Sequence, residues 1–172
     1  IWQDSGGEFV SLAEAEACVD AALKIRDRSQ VDGWVYIAAV DYAEKHDRVA
    51  LVVGHMEDEE RIIIDRMDVL APELYGGSIL IDAVEQWMEN VQIQFGGEFG
   101  EVHFVIDPYQ MLSTMQRFRT RGYSITEFEF SAGAGNYQLA KILRQMILHQ
   151  RVKWYEGCGQ IYNPEDGSVY QT

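Results

Sequence analysis

The sequence predicts an α/β fold: a mixed five-stranded sheet, three antiparallel strands and then alternating helices and strands, with helices on both faces. Three observations predict it. Apolar, β-rich runs at Trp34–Val40, Arg48–His55 and Arg61–Met67 follow one another across short polar links, the pattern of an antiparallel meander. Beyond them, runs of helical period alternate with two further β-rich runs, so the later strands need crossover connections. The 172 residues, 47% hydrophobic and 12% aromatic, suffice for one domain with a sizeable core.

Each element has its own signal. Ser11 with Glu14 three residues on forms a capping box, and Ala15, Cys18, Val19, Ala22, Leu23 and Ile25 extend a helix from Leu12 to Arg28. Gln30 to Gly33 is a turn before the first strand. The acidic run Glu57-Asp58-Glu59-Glu60 is a solvated hairpin tip between the second and third strands. Gly76-Gly77-Ser78 opens a helix from Ile79 to Phe95, with Leu80, Ala83, Val84, Trp87, Met88 and Val91 as its apolar stripe, and Gly96-Gly97 closes it. A strand at Val102–Ile106, a helix at Tyr109–Arg121 ended by Gly122, and a strand at Tyr123–Phe130 follow. Ser131–Gly135 is a small-residue loop without the Lys-Ser/Thr of a phosphate loop. The last helix runs from Asn136 to Gln150, and Val152-Lys153-Trp154 is a candidate short strand. Trp87 and Trp154 are assigned to the core.

The charge is uneven. The whole chain carries −14, but residues 1–110 hold 7 Lys+Arg against 23 Asp+Glu, whereas residues 111–153 hold 7 Lys+Arg against 2 Glu. Contact with a polyanion is therefore expected through the later helices, at Arg117, Arg119, Arg121, Lys141 and Arg144, if these are not simply solvated faces. Cys18 and Cys158 belong to no zinc-type spacing and read as packing thiols. No apolar run reaches the roughly 20 residues of a membrane helix.

Two acids carry the chemistry. Asp41 ends the run Trp34–Val40, and Asp107 ends Val102–Ile106. Open α/β sheets place ligands at the carboxyl ends of their strands. Two carboxylates there suit a hard divalent cation. The other readings are a polar strand end for Asp41 and a turn residue before Pro108 for Asp107. Asp47 is a helper ligand or a hairpin residue paired with Arg48. Glu44, and any of Asp82, Glu85 and Glu89, read first as solvent-facing acids. His46 and His55 read as surface or strand residues, and His103, inside an apolar strand, as a satisfied core histidine.

The element order with these acids resembles the ribonuclease H-like superfamily. The text from Ala39-Val40-Asp41-Tyr42 to Leu51-Val52-Val53 is similar to the first hairpin of the C-terminal nuclease domain of tailed-bacteriophage terminase large subunits. Val105-Ile106-Asp107-Pro108-Tyr109-Gln110 is similar to its second acidic motif, and Gly7-Glu8-Phe9-Val10-Ser11 to the segment that joins the packaging ATPase to the nuclease. The resemblance spans about residues 7–160. It implies a metal-dependent endonuclease that hydrolyses concatemeric double-stranded DNA with two Mg²⁺ or Mn²⁺ ions. Asp41 would bridge both ions, Asp107 would bind one, and Asp47 would assist. It further implies the portal and the small terminase subunit as partners, no membrane, and the cytoplasm of the infected bacterium as the location. Residues 1–30 would be the lead-in from an upstream ATPase, and residues 31–172 a nuclease domain truncated at its C-terminus. The family's third acid, near a helix after the last strand, has no counterpart: Glu165-Asp166 sits in a turn-like stretch. A non-catalytic module that binds a packaging partner, or another nuclease or resolvase of the superfamily, is the alternative.

Overall fold

The computed structural model describes residues 9–43, 47–98, 100–129 and 133–171, with side chains of 133–135 excepted. Six strands form one sheet in the order β5-β4-β1-β2-β3-β6. The strands are β1 (Trp34–Asp41), β2 (Val49–Met56), β3 (Ile62–Leu70), β4 (Gly100–Ile106), β5 (Ser124–Glu127) and β6 (Val152–Lys153). The helices are α1 (Leu12–Glu16), α2 (Ile81–Phe95), α3 (Leu112–Thr120) and α4 (Gly133–Leu148). None of them is long and apolar enough to cross a membrane.

The predicted meander is present: β1, β2 and β3 pair antiparallel in sequence order. β4 then joins the free edge of β1 in parallel, and β5 joins β4 in parallel. Alternation along the strands sorts the core. Tyr36, Ala38 and Val40 of β1, Val49, Leu51 and Val53 of β2, and Val102, Phe104 and Ile106 of β4 are buried on one face. There they meet Val84, Met88, Val91 and Phe95 of α2 and Met115 and Phe118 of α3. The second face is covered over β3 and β6, where Ile147 of α4 packs with Cys18, Val152, Ile62, Ile64 and Trp154. Helices therefore lie on both faces.

The sheet has six strands rather than the expected five. Two residues of β6 pair in parallel with Ile62 and Ile63, too short a ladder to leave a period in the sequence. The first helix is also corrected: it stops at Glu16, not Arg28. The capping box forms as expected, but the chain then turns to pair with the far end of the protein. Trp154 N–H donates to Cys18 O (3.1 Å) and Asp20 N–H donates to Trp154 O (2.9 Å), so tertiary pairing takes the backbone groups that a longer helix would use. The fifth strand is Ser124–Glu127 rather than Tyr123–Phe130. Gly122, at φ 89°, ends α3, and Tyr123 N–H closes onto Phe118 O (3.1 Å), so Tyr123 belongs to the helix end. Phe130 lies outside the described residues. Helix α4 starts at Gly133, inside the stretch read as a loop; Ser131 and Ala132 lie outside the described residues.

A polar knot ties the irregular segment after α1 to the sheet. The carboxylate of Asp65, on β3 beside a register shift opposite Val53 and Gly54, is fully shielded. It accepts from Arg26 Nη1 at 2.8 Å and shares a 2.6 Å hydrogen bond with His55 Nδ1. Arg26 N–H also donates to Asp65 O, at 2.9 Å. The Trp34 ring lies against the His55 imidazole at 4.4 Å. Both cysteines are free thiols; Cys18 is buried, and burial pushes the Cys158 thiol up to about 11. Removing the Asp65 carboxylate would leave a partly buried guanidinium and a buried imidazole without their acceptor. Asp65→Ala is expected to cost about 3–5 kcal/mol, read as a lower urea midpoint at unchanged slope.

Candidate active site

The site follows from one pairing. β1 and β4 run parallel with Val40 opposite Ile106, so the next residues, Asp41 and Asp107, stand side by side at the carboxyl end of the sheet. Val40 and Ile106 point into the core, so alternation sends both carboxylates toward the other side. Asp47, just before β2, returns to the same place because β2 pairs back along β1 with Ala50 opposite Asp41. Asp41, Asp47 and Asp107 line one cleft of about 300 Å³ together with Tyr42, Ala43, Tyr109 and Gln110.

Local chemistry shapes the walls. Asp107 Oδ1 accepts from Tyr109 N–H at 2.9 Å, a turn that the Asp-Pro pair favours. The same residue is thus both turn former and cleft acid, so its two readings coexist. Gln110 adopts a left-handed conformation, φ 63°, which costs a residue with a Cβ about 1 kcal/mol. Such strain gathers at functional sites. Tyr109 is 73% exposed at the cleft. Tyr42 Oη donates to Ile79 O at 3.0 Å and fastens the end of β1 to the entry of α2. Burial at the strand end, and then the negative charges of Asp107 and Asp47, raise the Asp41 pKa above its ordinary value.

The acidic donor set is all oxygen and all hard, and the raised pKa of Asp41 registers partial desolvation at the strand end and then the like charges gathered around it. Both features fit Mg²⁺ or Mn²⁺. Among the described residues no group of three or more His, Cys, Asp and Glu converges as a metal cage. A Mg²⁺ site of the kind held by one or two carboxylates plus substrate phosphate needs no such cage.

The remaining acids and bases fall elsewhere. Arg48 reaches Glu73 at 3.6 Å, so the expected pairing of Arg48 with Asp47 is replaced. His55 is a strand residue but buried at the opposite end of β1, beside Tyr36 and Trp34, far in register from Asp41. His103 is corrected from core to partly exposed: it bonds Ser124 Oγ at 2.7 Å and its side chain is 41% accessible. Trp87 is half-buried and donates its indole N–H to Asp68 (2.9 Å). Glu85 accepts from Thr114 Oγ1 (2.6 Å) and from Arg117, and Glu89 accepts from Arg121 (2.7 Å), two rungs between α2 and α3. Burial raises the Glu85 pKa, but hydrogen bonds from Arg117 and Thr114 outweigh it and hold the carboxyl below its ordinary value. Arg119 pairs with Glu127 at 3.0 Å, and Arg144 donates to Phe9 O at 2.9 Å. Lys141 is exposed on α4. Glu44 and His46 lie outside the described residues. Asp166 accepts from Ser168 N–H and Oγ in a turn, away from the cleft. Sequence reasoning missed Tyr42, Tyr109 and Gln110 as cleft walls. Their only signal is adjacency to the two acids.

Solved structures share this architecture. The large terminase of bacteriophage HK97 superposes with a TM-score of 0.63 at 14% identity, over 87% of this chain and 34% of that one. The large terminase nuclease of the thermophilic phage G20c gives 0.60 at 11% identity, over 83% of this chain and 73% of that one. The same nuclease with bound zinc gives 0.59 at 11%, covering 83% and 79%. This chain has the fold of a phage large-terminase nuclease domain. It spans about a third of the length of the HK97 large terminase, 34%. No protein-family model matches the sequence, and no curated protein does. In this terminase-nuclease fold the acid cleft is at the carboxyl ends of β1 and β4.

The raised pKa of Asp41 has a consequence for stability. A carboxyl whose folded-state pKa lies above its unfolded one binds its proton more tightly when folded, so its ionisation costs stability at neutral pH. That cost disappears below the unfolded pKa, near 3.9. Asp41→Asn is expected to raise the Tm in chelator near pH 7, with the gain shrinking to nothing around pH 3.5. Thermal melts of both proteins across that range are the check; a gain independent of pH would count against the cause given.

Proposed function

We propose that this protein is a divalent-metal-dependent endonuclease that hydrolyses phosphodiester bonds of double-stranded DNA during viral genome packaging. The observation that carries the reading is the convergence of Asp41 and Asp107 at adjacent strand ends, in a fold shared with large-terminase nucleases. The nuclease role comes from those neighbours by likeness, and the bound zinc of one of them supports use of a divalent ion.

The geometry supports the following roles. Asp41 and Asp107 would hold Mg²⁺ or Mn²⁺, with Asp47 on the cleft wall as an assisting carboxylate. When bound, such ions offset the charge that develops on the phosphate and make water a better nucleophile. The chain's own residues bind and orient. The carboxylates fix where the cation sits, and the Asp107–Tyr109 turn sets the cleft lip. Tyr42 keeps the end of β1 from moving relative to α2. An acidic cleft repels DNA until cations enter, so DNA and metal should bind cooperatively. In the infected bacterial cytoplasm, the portal and the small terminase subunit would be the protein partners.

The absence of a closed cage among the described residues favours one rival, a non-catalytic module of the same fold. Supercoiled plasmid with Mn²⁺ separates the two. The nuclease reading expects nicking and linearisation, lowered about 10²–10³-fold by Asp41→Ala, the scale of losing one preorganised electrostatic group. Wild-type protein that leaves the plasmid intact at every Mn²⁺ concentration would favour the binding module.

The metal reading makes a second, activity-free claim. Mn²⁺ is expected to raise the Tm of the wild type in proportion to its saturation, and to leave Asp41→Asn and Asp107→Asn unmoved. Equal shifts in all three proteins would place the ions elsewhere.

A further inference from the structure

A second cleft, of about 410 Å³, adjoins the acid cleft and shares Tyr42 and Gln110 with it. Its far walls come from the first turn of α2 and from α3: Asp82 on one side, Ser113, Thr114 and Arg117 on the other. We propose that this cleft seats the DNA backbone next to the scissile phosphate, with Arg117 as the phosphate anchor and Gln110 as the divider between the two seats. The inference rests on the nuclease reading and adds a place and a residue for the substrate.

The arginines of α3 and its end are not equivalent. Arg119 spends its guanidinium on Glu127 (3.0 Å) and Ile125 O (3.1 Å). Arg121 is bound to Glu89 and lies over the Phe118 and Tyr123 rings, at 4.8 and 5.3 Å. Neither lines the acid cleft or its neighbour. Arg117 does, and its ion pair is lopsided: the Glu85 side chain is 15% accessible, the Arg117 side chain 57%. The carboxylate is shielded behind the guanidinium, whose open side faces the cleft. Glu85 and Thr114 thus hold Arg117 in one orientation without covering it, and a guanidinium has five N–H donors to share. The Ser113 hydroxyl adds a neutral donor beside it, while the Thr114 hydroxyl is already donated to Glu85. Asp82 opposite repels anions and confines a phosphate to the Arg117 wall. Gln110, in its left-handed conformation, lines both clefts.

The test measures binding apart from cutting. All proteins carry Asp41→Asn, so a fluorescein-labelled 20-base-pair duplex survives in Mg²⁺, and its anisotropy is followed against salt. Arg117→Gln is expected to raise Kd about three- to tenfold and to reduce the salt slope by about 1. Glu85→Gln breaks the same ion pair but keeps the cation, so it should bind as tightly as the parent or more so. Asp82→Asn should bind more tightly. If Glu85→Gln loses binding as Arg117→Gln does, Arg117 only braces the helices and the proposal falls. It falls equally if Arg117→Gln binds within twofold of the parent at an unchanged slope, or if the parent does not bind the duplex. Plasmid cutting by the wild type, abolished by Asp41→Ala, would leave the nuclease reading standing in each of those cases.

Discussion

The parallel pairing of β1 with β4 is the constraint on which the rest depends. It runs from Trp34 opposite Gly100 to Val40 opposite Ile106, and it brings two carboxylates 66 positions apart onto neighbouring strand ends. Gly100 makes the start of that ladder possible: a Cβ there would lie 2.4 Å from Trp34 O and 2.8 Å from Phe95 O. A one-residue slip would exchange the two faces of β4, burying Glu101 and His103 and turning Asp107 away from Asp41. The buried residues Val102, Phe104 and Ile106 hold the register by alternation, so the hydrophobic core indirectly places the acids.

The two ends of the sheet use polar groups in opposite ways. At the start of β1, Arg26, Asp65 and His55 form a buried and mutually satisfied set, sealed by the Trp34 ring. No buried side-chain polar atom lacks a partner among the described residues. At the finish of β1, Asp41, Asp47 and Asp107 share a cleft with no basic residue among its described walls. The first arrangement offsets charge and secures the fold. The second concentrates charge of one sign where a cation can offset it, and these like charges add to desolvation in raising the pKa of Asp41.

This division also bears on how a chain of net charge −14 could take the nucleic-acid substrate proposed for it. Arg119 and Arg121 are engaged in ion pairs that join α3 to β5 and α2, so a count of basic residues overstates the surface available to DNA. On the proposed reading, attraction would come from cations bound in the acid cleft and from a guanidinium in the cleft beside it, rather than from the field of the whole protein.

The meander, the two longer crossover helices and the strand-end acids were legible in the sequence because each rests on local periodicity or on a residue next to a strand end. Ser11 and Glu14 announced the first helix start, and the box forms. The helix end did not show, because Cys18 and Asp20 exchange hydrogen bonds with Trp154, a partner 134 to 136 positions away. The candidate strand at Val152-Lys153-Trp154 is present over two residues, but its place as the sixth strand did not show, because its ladder comes only from Ile62 and Ile63. His103 looked like a core residue inside an apolar run, yet alternation puts it on the opposite face from Phe104, outside both clusters of buried apolar residues. By itself the sequence determined which residues could be acids at strand ends and which stripes could be buried. Only the tertiary structure decided that Asp41, Asp47 and Asp107 share one cleft, that Asp65 and His55 do not, and that Arg117 lines the neighbouring one. The physical reason is that side-chain alternation is a local property of each strand, whereas register, strand order and ion pairing depend on contacts between segments far apart in the chain.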